Sequence, residues 1–392
     1  LKLLLILHYP PPVHGSAVVG RYIKDSKAVN ETFSCRFINL GTSTSVEDIG
    51  RNSFRKLLRY LSLIWQVKKQ LILFRPELCY FTPTAQGPGF YKDAVVIALV
   101  KLFGVKTIFH YHNKGVSTRQ DRFFDNLLYR FVFRNSYIIL LSKHLYPDIQ
   151  KYIPESRVFY CPNGIPYGKG ERRKAKGESW QSAVGSQEQK TLNLELGILN
   201  QKQGTRNNRH TEILFLSHLI RSKGVLVLIE VCALLKERGV NFHCTIAGGD
   251  AELTREDGEE IIKSKYLESF ISIVGPKNGE EKMQLFESAD IFVHPSYNDC
   301  MPLILLEVMQ SSLPVVSTFE GAIPDVVEDG VTGFLVPQKD AMALADKLEI
   351  LINNPELRKK MSAAGRARYE QQFTLERFEG RMVEILKEVS SK

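Results

Sequence analysis

Two carboxylates, a lysine and a histidine stand at positions where they could do chemistry. From Ile291 to Val293 a β-branched and aromatic run reads as a buried strand, a polar loop follows, and Pro302 opens an apolar helix reaching Gln310. Proline suits a first helical position, because its φ is preset and the missing N–H had no partner there. Asp299 therefore stands just ahead of a helix N-terminus, whose unpaired N–H groups and dipole favour anions. Glu307 follows eight residues later, about two turns on, so it can face the same cleft. Its neighbours Leu306 and Val308 are apolar, and a carboxylate buried among them needs a polar partner. A helix-capping Asp beside a salt-bridged Glu is the plain structural alternative.

Other candidates lie where strands end. His110 and His112 fall on one face of a strand over 106–112, because side chains alternate with period two. His112 closes that strand, where open α/β sheets present ligand-binding groups, although a lone histidine is more often structural. Gly15, Ser16 and Ala17 start a helix after the first strand; glycine there lets backbone approach a phosphate, and an ordinary tight turn reads the same way. The loop 217–224 holds His218, Arg221 and Lys223, and Gly248 begins a Gly-Gly-Asp turn at another strand end.

The elements that must position these residues alternate strand, loop and helix. Strands are expected over 3–7, 33–40, 78–82, 106–112, 137–141 and 158–161, then over 213–216, 242–247, 270–274, 291–293, 314–317 and 333–336. Helices are expected over 52–73, 90–103, 122–134, 143–153, 225–238, 280–288, 302–310, 341–352, 355–363 and 375–389. This rhythm predicts an α/β chain with two Rossmann-like, doubly wound parallel-sheet domains facing across a cleft. A chain of 392 residues also exceeds the usual single-core size. Residues 166–210 have no sustained apolar period and read as a mobile linker between domains 1–165 and 211–372.

Hydrophobic content of 44% and charged content of 24% are ordinary for a soluble globular protein. No apolar run approaches bilayer-spanning length, and the first residues lack the features of a signal peptide. Six cysteines are scattered without CxxC or zinc-type spacing, which suggests free thiols in a reducing cytosol and no metal. Residues 1–165 carry 23 Lys and Arg against 10 Asp and Glu, whereas 211–392 carry 20 against 29. A basic front half points to an anionic partner: a phosphate-bearing substrate, an anionic membrane surface or nucleic acid. Two helices, 52–73 and 122–134, mix Arg and Lys with aromatics. Such helices can lie in a membrane interface or be domain helices with one buried stripe. No recognised nucleic-acid motif is present.

Several motifs in order resemble the retaining glycosyltransferases of family 4 (glycosyl transferases group 1), which have the two-domain GT-B fold. Asp299-x7-Glu307 is similar to the family's Glu-x7-Glu. Cys300-Met-Pro-Leu303, Gly321-Ala-Ile-Pro-Asp325, the segment 329–336, Pro162-Asn-Gly-Ile165 and Lys223-Gly224 match the accompanying segments. The resemblance covers nearly the whole chain outside 166–210. It implies that Glu307 binds the nucleotide ribose, Asp299 the hydroxyls of the transferred sugar, and backbone N–H groups in the stretch Cys300, Met301, Pro302 and Leu303 the sugar and phosphate. It further implies that Lys223 neutralises the diphosphate, Gly15 and Ser16 meet the β-phosphate, Gly248 lies near the donor, and His112 holds the sugar. The helix over 373–392 would pack back on the first domain. His218 stands where the family usually has Arg, with Arg221 nearby as a substitute, and Asp stands for Glu at 299. The implied donor is a UDP- or GDP-hexose and the acceptor a glycan or polyprenyl-diphosphate-linked sugar in cell-surface polysaccharide synthesis. No cofactor or metal is implied. The expected location is cytoplasmic, with peripheral attachment to the inner face of the membrane. A sugar-nucleotide epimerase of the same fold is the alternative, and a basic nucleic-acid-binding protein is the reading from a different class.

Overall fold

The computed structural model describes residues 1–11, 14–41, 54–168 and 210–392. The linker expected over 166–210 lies outside the described residues except for 166–168 and 210. The first sheet comprises β1 (Lys2–Leu7), β2 (Ser34–Asn39), β3 (Leu78–Phe81), β4 (Lys106–Tyr111), β5 (Ser136–Leu140) and β6 (Val158–Tyr160), in the order β2-β1-β3-β4-β5-β6. The second comprises β7 (Thr211–Leu216), β8 (Phe242–Ala247), β9 (Ile271–Ile273), β10 (Ile291–His294), β11 (Val315–Thr318) and β12 (Gly333–Val336), in the order β12-β11-β10-β7-β8-β9. Every neighbouring pair is parallel.

Parallel neighbours need crossover connections, and the helices that supply them cover both faces of a sheet. Central strands are therefore mostly apolar, and β3 and β10 are buried at every residue. Alternation along β1 sends Leu4 and Ile6 to one core, with Phe81, Phe109 and the helices Phe54–Leu73, Gly87–Leu102 and Phe123–Phe133. Leu3, Leu5 and Leu7 go to the other, with Tyr80 and Ile108.

That second core also holds Phe378, Met382, Ile385, Leu386 and Val389, one helical stripe of the C-terminal helix Leu375–Ser391. The last helix thus packs on the first sheet, although it follows the second in the chain. Ile165 N–H donates to the Phe373 carbonyl at 3.0 Å and Leu375 N–H to the Ile165 carbonyl at 2.8 Å, so both crossings between domains are tied at one place. Each of these buried apolar side chains stabilises the packing by roughly 1.5–3 kcal/mol.

Some elements differ from the sequence expectation. Residues 143–153 form a 3-10 turn over Lys143–Asp148 followed by turns, because Pro147 lacks an N–H and crowds the preceding turn. Helix Pro355–Gln372 runs well past 363. Helices Lys27–Thr32 and Arg255–Ser264 were not expected. The latter starts in a reciprocal capping box, with Thr254 Oγ1 accepting from Asp257 N–H and Thr254 N–H donating to the Asp257 carboxylate, a signal legible as Thr-x-x-Asp. All six cysteines are free.

Candidate active site

Each sheet reverses its strand order once, between β1 and β3 and between β7 and β10. In open α/β sheets the crevice beyond the carboxyl ends of strands at such a reversal is where ligands bind. Here the loops after β1, β4 and β5 of one domain face those after β7, β8 and β10 of the other, around a cavity of about 500 Å³.

On the second-domain side, Lys223 ends a short 3-10 turn, Arg221–Lys223. Its Nζ donates to Asp299 Oδ2 at 2.5 Å, and His294 Nε2 lies 3.2 Å from the same oxygen. Asp299 Oδ1 accepts the N–H of Cys300 at 3.1 Å. Burial pushes the Asp299 carboxyl up, but the His294 hydrogen bond and the Lys223 ammonium outweigh it and hold the pKa at about 2. The site therefore presents a fixed ion pair at neutral pH. Burial, and then Asp299, push the Cys300 thiol up to about 12, so this cysteine is protonated and is no nucleophile.

The loop carrying Asp299 is propped from below. Asp299 N–H donates to Glu320 Oε1 at 2.9 Å, and Glu320 also meets Lys114 of the first domain and Gln338. Gly321 has φ +53°, and a Cβ there would stand 2.5 Å from the Asp299 carbonyl oxygen, so only glycine lets the two loops touch. The next helix runs Leu303–Gln310 with Pro302 as its N-cap. It starts one residue later than expected, because Pro302 has ψ 119° and is extended. Its N-terminus is on the cavity wall through Pro302, Leu303 and Ile304.

On the first-domain side, the helix Gly15–Asp25 is capped by His14, whose Nδ1 accepts from Ala17 N–H at 3.3 Å. A Cβ on Gly15 would meet nothing within 4 Å, so packing does not demand glycine there. At Gly248 a Cβ would stand 1.8 Å from the Ser217 carbonyl oxygen, so the ends of β7 and β8 converge only with glycine at that position. His110 and His112 do share a face, with ring centroids 4.1 Å apart, and His110 Nδ1 lies 2.7 Å from the Tyr80 hydroxyl. Burial, and then the nearby His8, lower His112 to about 3. Burial, then His14 and Lys92, lower His8 to about 4. These imidazoles are neutral at pH 7.

Gly15, Ser16, His112, His218, Lys223, Gly248, Asp299, Cys300, Met301, Pro302 and Leu303 all line the cavity. Arg221 and Glu307 do not. Arg221 gives its backbone N–H to Glu252 at 2.9 Å. Glu307 pairs with Lys282 at 2.8 Å, one turn behind the cavity wall, and its charge helps burial raise the pKa of Tyr22 in the first domain. Asp325, in the matched segment 321–325, meets Ser142 and His144 across the domain boundary.

Sequence reading missed His294, Asn163 and Lys277 on the cavity wall. His294 ends β10 and His112 directly follows β4, so the strand-end argument that singled out His112 would have found it. Asn163 donates its N–H to Met301 Sδ across the domains. Among the described residues five buried polar atoms lack a protein partner, and three of them, His112 Nε2, Asn163 Oδ1 and His294 Nδ1, belong to cavity residues. Buried polar atoms are nearly always paired, so this wall is shaped for a polar ligand. Among the described residues, the three metal-ligating side chains close enough together to share an ion, His210, Glu212 and His243, are not on the cavity wall.

Residues 199–368 match the family model "Glycosyl transferases group 1". The amylovoran biosynthesis glycosyltransferase AmsK of Erwinia amylovora is 35% identical over 185 residues, 45% of each chain. The capsular polysaccharide biosynthesis glycosyltransferase CapM of Staphylococcus aureus is 26% identical over 181 residues, 46% of this chain and 47% of that one. The match thus spans less than half the length of these curated relatives. In fold, Anabaena Alr3699/HepE, solved in complex with UDP, superposes with a TM-score of 0.69 at 16% identity over 99% of this chain and all of that one. The chain carries the two-domain GT-B fold, and its residues 199–368 are similar to the glycosyl transferases group 1 family.

Proposed function

We propose that the protein is a retaining, metal-independent glycosyltransferase. It would move a hexose from a UDP- or GDP-sugar to a glycan or a polyprenyl-diphosphate-linked acceptor in cell-surface polysaccharide synthesis. The observation that carries this reading is the Lys223–Asp299 pair at 2.5 Å, set beside a helix N-terminus in a cleft lined by both domains. In the transfer, the sugar–phosphate bond breaks, the acceptor oxygen bonds to the same sugar carbon on the same face, and the acceptor proton passes to the leaving diphosphate. Negative charge grows on that diphosphate, and donors already aimed at it lower the barrier without reorganising. Lys223 supplies the charge and the first turn of Leu303–Gln310 supplies N–H groups. A carboxylate has about four lone-pair sites; Lys223, His294 and Cys300 N–H take three at Asp299, which leaves room for one sugar hydroxyl. Glu307 would reach the ribose by exchanging Lys282 for it. The named biosynthetic roles of AmsK and CapM support a polysaccharide setting, and the UDP complex of HepE supports a nucleotide donor.

The test is a panel of nucleotide sugars screened for protection against thermal unfolding, followed by transfer assays with the best donor in EDTA. One donor should raise Tm, and the anomeric configuration of the product, read by NMR, should match the donor. Inversion, or a requirement for added metal, would overturn those parts of the reading. Isomerised free sugar nucleotide in the absence of any acceptor would favour an epimerase.

The first domain would also rest on an anionic membrane surface. Helix Phe54–Leu73 buries Leu63, Val67 and Leu71 but exposes Phe54, Leu57, Leu58, Leu61, Trp65 and Leu73, and helix Phe123–Phe133 exposes Phe123, Phe124, Leu127 and Phe131. Apolar side chains among Lys and Arg fit an anionic interface. No helix among the described residues is long and apolar enough to cross a membrane. Flotation should show the protein with anionic but not neutral liposomes.

A further inference from the structure

A second cluster of chemistry-bearing side chains lies at the other end of the second sheet. His210 immediately precedes β7, Glu212 is its second residue, and His243 is the second residue of β8. Glu212 and His243 are register partners in the parallel pair, and His210 is two residues from Glu212, so all three project from one face. His210 Nε2 lies 2.7 Å from Glu212 Oε1 and His243 Nδ1 lies 3.2 Å from Glu212 Oε2. The three ligand atoms lie within 4.8 Å of one another.

We propose that His210, Glu212 and His243 bind a divalent transition metal of the zinc class. Two imidazoles and one carboxylate are a donor set that such ions take, with water in the fourth position. Metal–donor bonds of about 2.0–2.2 Å put tetrahedral donors about 3.3 Å apart, so the cluster needs only small side-chain shifts to close on an ion. The side chains outside the ligand set fit as well. His243 Nε2 lies 3.0 Å from Ser272 Oγ on β9. When Nδ1 holds metal, Nε2 carries the proton and donates to that hydroxyl, the arrangement that fixes a ligating histidine. The Glu212 backbone is pinned from both sides, its N–H by the Asp290 carboxylate at 3.0 Å and its carbonyl by Asp290 N–H at 2.8 Å. His210 is half exposed, with 46% of its side chain accessible, which gives the ion a path in. The cleft residues follow the carboxyl ends of these same strands, roughly 17–20 Å away for six-residue strands. The metal therefore takes no part in transfer. It ties the start of β7 to β8.

The test uses the full chain stripped with EDTA, titrated with Zn2+ by calorimetry and with Co2+ by visible absorption. One Zn2+ should bind per chain, Tm should rise with Zn2+ and not with Mg2+, and Co2+ should give the intense bands of a low-coordinate site. His243→Ala and Glu212→Ala should abolish the Co2+ bands. Ser272→Ala, which removes no ligand, should weaken binding by about 10–100-fold. His210→Asn serves if the strand variants fail to fold, because that side chain is half exposed and precedes the strand. Donor turnover in EDTA should be unchanged in all of them. Wild-type affinity and bands in His210→Asn, or no Zn2+ uptake by the native chain, would overturn the proposal.

Discussion

Residues 1–165 carry 23 Lys and Arg against 10 Asp and Glu, and residues 211–392 carry 20 against 29. Yet the cationic side chains Lys223 and Lys277 on the cleft wall come from the acidic half. The basic half contributes His14 and His112 there, lowered in pKa by burial. Net charge acts at long range from the outer surface, on solubility and encounter. Charge at a site is set by what is buried beside what, because attraction between close charges grows as water is excluded. The two counts answer different questions, and the basic face of the first domain belongs to its exposed helices.

The largest effect expected from this division is at Lys223. Lys223→Ala should lower kcat by about 10²–10³-fold, the range for removing one pre-placed donor from a developing anion. Lys68→Gln with Lys69→Gln on the basic helix should leave turnover of a soluble acceptor untouched. Equal losses in the two variants would erase the distinction between site charge and surface charge.

Glu307→Ala comes next. A hydrogen bond to a charged group is worth about 1.5–3 kcal/mol, so kcat/KM for the donor should fall about 10–100-fold. Wild-type kinetics would mean that Glu307 only anchors Lys282.

Acid sensitivity sharpens the contrast. His8 and His112 have folded pKa values of about 4 and about 3, against an ordinary 6.5. Below 6.5 the unfolded chain binds protons that the folded chain does not, so their stabilisation is complete above pH 6.5 and is lost as pH falls toward 3. Asp299, held at about 2, loses its contribution only between about pH 4 and 2. The first domain should therefore weaken first on acidification, and His8→Gln should flatten the decline of Tm between pH 6.5 and 4. An unchanged slope in that variant would contradict the assignment.

The smallest effect is expected at the membrane face. Trp65→Ala should reduce co-flotation with anionic vesicles severalfold while leaving Tm and soluble turnover alone, since that ring is 61% exposed. Loss of stability instead would show that it packs within the domain.

Much of the site was legible because it sits at strand ends. Runs such as Ile291-Phe-Val announce buried strands, and the loop after each strand of a parallel sheet faces the ligand crevice. Asp299, His112 and Gly248, which line the cavity, were singled out that way, Lys223 came from the family's motifs, and the motif order pointed to the GT-B arrangement. His294, at the end of its strand, was open to the same argument but was passed over, and pattern alone did not reach Asn163, whose partner Met301 is 138 residues away.

Local periodicity and turn chemistry thus determined the two doubly wound sheets and the loops that carry chemistry, because both are short-range properties of neighbouring residues. Packing of distant segments decided the rest: that Glu307 pairs with Lys282 behind the cavity wall, and that His210, Glu212 and His243 meet on one strand pair. Those outcomes depend on which surfaces exclude water together, and no stretch of the chain records that by itself.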